Sequence, residues 1–342
     1  MTLLPEPVVG TLTDGLVRSV REAAHDALSV APGPGQRHAT PTRTGFDVLD
    51  RVLGGGLRPT DLALLGGSPG VGKTVAALQM ARRAALDGRT CVYVSFEHDQ
   101  ATMLGRLLAL EVAEIADADH AVDSDRLARV LIDATAGFRS LRDVITSEPI
   151  AAKAFSRLDL YSDRLLLVRG SGSETDVTAI EAILDRHADA GDLLVVDYLQ
   201  RVATPSPVAD EHEHVTLVTQ ALKDLAMRRR MAVMALVAAD WDGLRSGRLR
   251  LHHLRGSSAL AYECDVAVLL NDKHHAVAKA HLAYDPLRAE TFHHYVVFSV
   301  EKNRGGPAMV DLEFRKDFLH YRFDTAGEYL RERLVDDRLA GE

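Results

Sequence analysis

Cysteine is scarce in this sequence, and no long apolar run occurs. The two cysteines, Cys91 and Cys264, lie in separate apolar segments, and neither belongs to a Cys/His cluster with metal-ligating spacing. We therefore expect buried thiols and no zinc site. A membrane-spanning helix is not expected, because no stretch of about 18 apolar residues is present. Residues 1–15 lack the basic segment and sustained apolar core of a secretory signal, so a cytoplasmic location with no membrane partner is expected.

The chain also lacks an excess of basic residues. Its formal net charge is −9, from 40 Lys and Arg against 49 Asp and Glu, with histidine counted as neutral. This balance argues against a protein that binds nucleic acid by bulk charge. It is compatible with a ring whose basic residues face inward, so a nucleic-acid hypothesis has to depend on local clusters.

What the sequence does contain is a glycine-rich loop between an apolar run and an amphipathic segment. The loop reads GSPGVGKT and fits the phosphate-binding pattern G-x-x-x-x-G-K-T. Glycines let backbone N–H groups surround an anion, and the following helix directs its positive end towards the same anion. The predicted ATP-binding residues are Gly67, Ser68, Pro69, Gly70, Val71, Gly72, Lys73 and Thr74. Lys73 is expected to reach the β- and γ-phosphates, and the Thr74 hydroxyl to ligate Mg²⁺.

Apolar runs alternate with helical segments from Pro41 onward, which predicts an α/β fold with a mainly parallel twisted sheet flanked by helices. The pattern of residues 308–324 predicts a C-terminal β-hairpin. Residues 274–294 interrupt the pattern as an insertion. The histidines in it could indicate a metal site, but an exposed polar insertion is the favoured interpretation.

Two acids at strand ends complete a candidate catalytic set. Asp197 ends the apolar run LLVVD, where ligands of α/β sheets bind, and is predicted to hold Mg²⁺ with Thr74. Glu97 follows the neighbouring apolar run, and a carboxylate there could activate a water in line with the γ-phosphate. Asp99 is the competing candidate for that base.

Five segments in this order resemble the motor domain of DnaB-type replicative helicases, a RecA-like P-loop ATPase fold. They are TGFDVLDRVLGGGLRPTDLALLGGSPGVGKT, SFE, VVDYLQ, LRGSSALAYECDVAVLL and EKNRGGP. The first segment is also similar to RadA and KaiC proteins, while DYLQ and LRGS favour the DnaB type. The resemblance covers residues 41 to about 325. It implies ATP hydrolysis with Mg²⁺, assembly into a homo-oligomer expected to be a hexameric ring, and binding of single-stranded DNA.

The resemblance also assigns roles to single residues. Glu97 matches the family's catalytic glutamate, Asp197 its Walker B aspartate, and Lys73 its phosphate lysine. Lys302 and Arg304, in KNRGG, match the basic pair that the family inserts into a neighbouring subunit's nucleotide site, where a guanidinium stabilises transition-state charge. Arg255, in LRGSS, matches an arginine before the next strand.

The sequence departs from the family pattern in three places. Residues 1–40, predicted to be an arm with one linker helix, stand where the family has an N-terminal helical domain. Val237 and Ala238 occupy the places of a Ser-Gln pair whose glutamine is taken to sense the γ-phosphate. The segment after Asp197, RVATPSPVADEHEH, is acidic where a DNA-facing loop is expected.

One basic segment supports DNA binding. Arg245, Arg248 and Arg250 lie in a segment that also contains Gly243 and Gly247, and a flexible basic loop can follow a phosphate backbone inside a ring pore. The predicted organisation is thus an arm (1–40), an ATPase and helicase motor domain (41–325) and a C-terminal tail (326–342). The alternative is a KaiC- or RadA-like nucleotide-gated assembly protein without unwinding activity, with a RadA-like recombination factor as a third option.

Overall fold

The computed structural model describes residues 40–115, 121–187, 192–278, 281 and 284–335. The chain divides into two units, Met1–Arg37 and His38–Glu342, and the described residues belong to the second. The predicted arm helix lies outside the described residues. In the part of the chain that is described, no helix combines the length and apolarity needed to cross a bilayer.

One mixed sheet forms the centre of the second unit, and within the described residues it contains ten strands. These are β1 Leu62–Gly67, β2 Cys91–Ser95, β3 Leu165–Arg169, β4 Leu193–Asp197, β5 Ala232–Ala238, β6 Val266–Asp272, β7 Tyr295–Asn303, β8 Val310–Asp317, β9 Arg322–Phe323 and β10 Glu328–Tyr329. The order is β10-β8-β7-β6-β1-β5-β4-β2-β3, with β9 paired to β8. The six neighbouring strands β6, β1, β5, β4, β2 and β3 run parallel to one another. The strands β7, β8, β9 and β10 each pair antiparallel with their neighbours. The predicted α/β fold and the C-terminal hairpin are confirmed.

Helices cover both faces of the sheet. Among the described residues these are α1 Asp47–Val52, α2 Lys73–Leu86, α3 Gln100–Ile115, α4 Ala121–Thr135, α5 Leu141–Ser147, α6 Pro149–Asp159, α7 Val177–Arg186, α8 Glu211–Arg229, α9 Trp241–Arg245, α10 Ala259–Glu263, α11 Lys273–Ala276 and α12 Pro286–Thr291. Several begin where an aspartate side chain accepts a hydrogen bond from a free N–H of the first turn, as Asp176 does for α7 and Asp210 for α8.

The central strands β1, β2, β4 and β5 are almost entirely apolar because both of their faces are covered. In β1, Ala63 and Leu65 pack in one core cluster with α1 to α4 and α6, whereas Leu62 and Leu64 pack in a second cluster with α7, α8 and α10. Successive side chains of a strand point to opposite faces, so a continuous apolar run is what a doubly covered strand requires. This burial fixes where each strand ends within the sheet. The functional residues directly follow those strand ends, so their positions are fixed as well.

The segment 274–294 is not a purely exposed insertion. Within its described part, Ala276, Val277 and Phe292 form a small apolar cluster with Val297 and Leu334. No group of three or more metal-ligating side chains occurs among the described residues. The first residues of the predicted tail join the sheet, since β10 pairs with β8.

Candidate nucleotide site

The glycine-rich loop links β1 to α2, as its sequence predicts. Gly72 precedes the helix with φ 103°, a left-handed conformation that favours glycine. A Cβ at Gly72 would lie 2.5 Å from Cζ of Phe323 and 2.8 Å from Cζ of Phe318. The C-terminal hairpin therefore packs directly against the loop, and no larger residue fits at this position.

Lys73 starts α2 and reaches back over the loop. Its Nζ donates hydrogen bonds to the carbonyl oxygens of Gly67 at 2.8 Å and Ser68 at 3.0 Å. Burial lowers the pKa of Lys73, while the charges of Asp197 and Glu97 oppose that shift. A cation held in a partly dehydrated loop binds a phosphate more strongly than one in water, because the local dielectric constant is low.

Asp197 ends β4 and is almost completely buried, with 2% of its surface exposed. The Tyr93 hydroxyl donates to its Oδ2 at 2.9 Å, and the Thr74 side chain also forms a hydrogen bond to it. Burial raises the pKa of Asp197 in spite of these two bonds. The Thr74 hydroxyl and the Asp197 carboxylate are in contact, and Lys73 lies nearby. Both oxygen groups are the hard ligands that Mg²⁺ takes together with substrate phosphates.

Glu97 follows β2, which pairs with β4 so that Ser95 lies opposite Asp197. Glu97 is exposed and, with Lys73, Thr74 and Asp197, lines a cavity of about 550 Å³ over the loop. Asp99 does not line this cavity, and its carboxylate accepts a hydrogen bond from the Thr102 N–H at 2.8 Å. The geometry thus places Glu97 and not Asp99 beside the loop.

The same cavity includes residues that sequence reasoning missed. Arg106 lies with its guanidinium carbon 4.9 Å from the ring centroid of Tyr321, and both line the cavity with Phe318. Arg106 comes from α3, whereas the two aromatic residues come from the C-terminal hairpin. No local pattern marks them, since only the packing of the hairpin on α2 and α3 brings them to the loop.

Lys302 and Arg304 lie at the opposite edge of the sheet. In the register of β1, β6 and β7, Asn303 is level with Ala63, while the glycine-rich loop follows Gly67. Lys302 Nζ donates to the carbonyl oxygens of Ala261 and Tyr262, and Arg304 pairs with Asp265 at 3.1 Å. Neither side chain is brought to the nucleotide cavity of its own chain.

The predicted flexible basic loop is folded differently from the expectation. Arg245 lies in the short helix α9 and is exposed. Arg248 is buried and forms an ion pair with Asp311 at 2.8 Å, and Arg250 forms one with Glu301 at 3.1 Å. Arg248 and Arg250 can reach DNA only by giving up these ion pairs, which sequence alone could not reveal because their partners lie on β7 and β8.

Ala238, at the place of the family's glutamine, lines the nucleotide cavity. Gln200, which lies just after the end of β4, approaches Ala238. The Ala238 N–H donates to Oε1 of Gln200 at 3.4 Å, and Nε2 of Gln200 donates to the carbonyl oxygen of Arg255 at 2.9 Å. The Arg255 guanidinium itself points to Glu211, 2.7 Å away on α8. An amide is thus present beside the cavity although the expected position holds alanine.

Comparison with known proteins places this site in context. The "Replicative DNA helicase DnaB" of Treponema pallidum (strain Nichols) is 26% identical over 289 residues, which is 81% of this chain and 55% of the relative. The "DNA repair protein RadA" of Mycobacterium tuberculosis (strain CDC 1551 / Oshkosh) is 49% identical over 77 residues, 20% of this chain and 16% of the relative. The chain therefore covers less than two thirds of the length of these curated relatives.

Solved structures share the fold. A solved ATPase domain superposes with TM-score 0.67 at 19% identity, covering 89% of this chain and 98% of that domain. A DnaB-like replicative helicase, solved in a study of its interactions with primase, superposes with TM-score 0.64 at 18% identity, covering 88% of this chain and 66% of the other. A model of the family "DnaB-like helicase C terminal domain" matches residues 42–323. The chain, with its glycine-rich loop and paired strand-end acids, belongs to this family.

Proposed function

We propose that this chain is a Mg²⁺-dependent ATPase of the DnaB helicase type, which assembles into a ring and hydrolyses ATP between subunits to move along single-stranded DNA. The observation that carries the proposal is the meeting of Lys73, Thr74, Glu97 and Asp197 at one edge of the sheet. The basic pair Lys302 and Arg304 lies at the other edge, where a neighbouring subunit could receive it.

The proposed roles follow from the contacts. Lys73 and the N–H groups of the loop hold the β- and γ-phosphates, and Thr74 and Asp197 would hold Mg²⁺. The ion, when bound, neutralises phosphate charge. Glu97 accepts a proton from the attacking water, for which its exposed carboxylate beside Lys73 is suitably placed. Arg304 of an adjacent subunit stabilises the charge that develops on the γ-phosphate.

Steady-state ATP turnover tests the nucleotide site. Replacing a group that stabilises the transition state costs about a hundredfold or more in kcat, and this loss is expected for Lys73→Ala and Glu97→Gln. Lys153→Ala, which changes an exposed lysine of α6, is the matched control and should keep wild-type turnover. Undiminished turnover in Lys73→Ala would remove the assignment of the site.

The second candidate is a KaiC- or RadA-like nucleotide-gated assembly protein that does not unwind DNA. Two observations favour it: Ala238 stands at the glutamine position, and Arg248 and Arg250 are held in ion pairs. Strand displacement on forked DNA separates the two candidates. Displacement that needs ATP and is lost in Lys73→Ala supports the helicase, whereas ATP-driven assembly without displacement supports the alternative.

A further inference from the structure

A second, larger cavity lies next to the nucleotide cavity. It has a volume of about 940 Å³ and lies at the carboxyl ends of β2, β3 and β4. Glu97 and His98 line both cavities, so these two residues form the wall between them. The far side of the larger cavity is formed by Arg169, the loop 170–173 and Arg201. Nothing in the roles proposed above uses this space.

Two arginines in this cavity differ from those around it. Arg169 and Arg201 are exposed, and neither guanidinium forms a hydrogen bond or ion pair within the described ranges. By contrast, the neighbouring Arg255, whose carbonyl oxygen accepts from Gln200 of this cavity, pairs with Glu211. A guanidinium presents several donors in a fixed plane, and an unpaired one at the mouth of a cavity is suited to an oxyanion.

The two acids of the cavity leave these arginines largely free. Asp99 is engaged by the first turn of α3, where it accepts a hydrogen bond from the Thr102 N–H. Its remaining interaction with Arg169 is electrostatic. Glu97 also lines the nucleotide cavity with Lys73, and within the described residues it forms no ion pair with Arg169 or Arg201. The positive charge on the far wall is thus not cancelled by direct contact.

The loop between the arginines adds neutral donors. The Ser171 and Ser173 hydroxyl oxygens lie 3.0 Å apart, and the Ser171 N–H is fixed by the Thr175 hydroxyl at 2.9 Å. A Cβ at Gly172 would lie 3.5 Å from Nε and Nη2 of Arg201, so the guanidinium rests against this glycine. Serine hydroxyls and two neighbouring guanidinium groups are typical hydrogen-bond donors to phosphate oxygens.

We propose that this cavity is a second phosphate site, separate from the glycine-rich loop, in which Arg169 and Arg201 hold a phosphate group of a nucleotide unit. The ring of His98, which also lines the cavity, is available to stack on its base, whereas the Phe96 ring packs against Gly170. The unit belongs either to a single DNA strand or to a free nucleotide. The strand case rests on the proposed function, and the free-nucleotide case does not.

The test for a strand uses anisotropy of a fluorescein-labelled oligothymidylate with the full chain and a non-hydrolysable ATP analogue. Each lost charged hydrogen bond is worth about tenfold in affinity, so Arg169→Ala/Arg201→Ala should bind at least about tenfold more weakly than wild type. The salt dependence of log affinity should become shallower by about 0.7, the value for one phosphate contact on a single strand. Arg142→Ala, which changes an exposed arginine of α5, is the matched control and should bind like wild type.

The test for a free nucleotide uses calorimetry with tripolyphosphate in the Lys73→Ala background, where the first site is disabled. Residual binding that disappears in the triple variant supports the site even when wild type fails to bind the oligonucleotide, and in that case only the DNA part of the proposed function fails. Arg201→Lys should restore part of the affinity because it keeps the charge. If the two arginine substitutions leave oligonucleotide binding unchanged, and in the Lys73→Ala background leave tripolyphosphate binding unchanged as well, the second phosphate site is refuted. Because neither guanidinium has a partner to lose among the described residues, thermal melting should confirm that the variants are folded.

Discussion

The most informative prediction concerns Arg304, because the fold decides whether it can act in its own subunit. Asn303, its neighbour on β7, is level with Ala63, and Gly67 lies four residues farther along β1. At about 3.3 Å per residue and about 4.8 Å per strand, Asn303 is roughly 13 Å along the sheet and 10 Å across it from the start of the loop. An arginine side chain does not span this distance. Arg304 is therefore expected to act only on the nucleotide of an adjacent subunit.

The substitution Arg304→Ala should reduce ATP turnover by about a thousandfold or more, the range found when an arginine finger is removed. Folding should be preserved. Arg304 is about half exposed, and Asp265 keeps Lys223 at 2.6 Å and the Leu62 N–H at 2.9 Å when the arginine is lost. Because the guanidinium is about half in solvent and Asp265 stays paired, losing this ion pair should cost only about 1 kcal/mol of stability. Arg315→Ala, an exposed arginine of β8, is the matched control for loss of positive charge.

A mixing assay measures the trans arrangement directly. When equal amounts of Lys73→Ala and Arg304→Ala subunits assort at random in a ring with head-to-tail interfaces, about a quarter of the interfaces combine an intact loop with an intact arginine. Turnover of the mixture should therefore recover towards about a quarter of the wild-type rate, although each parent is inactive. Near wild-type turnover by Arg304→Ala alone, or a mixture as inactive as its parents, would contradict the reasoning.

Three further predictions concern two buried carboxylates and one tightly packed glycine. Glu111 is fully buried and bonded to Arg82, so Glu111→Gln should lower the free energy of unfolding by about 3–5 kcal/mol in urea denaturation, and a loss below about 1 kcal/mol would contradict this. Burial raises the pKa of Asp197, so the ionised carboxylate lowers the stability of the nucleotide-free protein. As pH rises through that raised pKa, the melting temperature of Asp197→Asn should therefore increase relative to that of wild type, although the variant loses Mg²⁺-dependent turnover. A difference in melting temperature that stays constant across pH would count against this prediction. Gly72→Ala should abolish nucleotide binding measured by calorimetry, because its Cβ would collide with Phe323 and its φ is positive, whereas Gly137→Ala, also at positive φ but with open space around it, should bind normally.

Several features of the site could be predicted from sequence because they are local. The glycine-rich loop needs glycine at Gly72 and a lysine and hydroxyl at the start of α2, all within eight residues. Asp197 and Glu97 each follow an apolar run, and the ends of neighbouring parallel strands meet at one edge.

Other features could not be predicted because they depend on pairing between distant segments. The sequence does not indicate that Arg248 and Arg250 have partners, yet both form ion pairs with carboxylates of β7 and β8. Tyr321 and Phe318 close the nucleotide cavity only because the C-terminal hairpin packs on α2. Arg169 and Arg201 attract no notice in the sequence.

The sequence alone therefore determined the chemistry of phosphate binding, since backbone conformation and side-chain type over a few consecutive residues specify an anion-binding loop. Tertiary structure alone decided which charges are available. A charge is useful to a ligand only when no partner within the protein has already neutralised it, and those partners come from strands and helices far away along the chain. The sheet also decided that Arg304 lies at the edge opposite its own loop, a consequence of strand direction and register that no single segment contains.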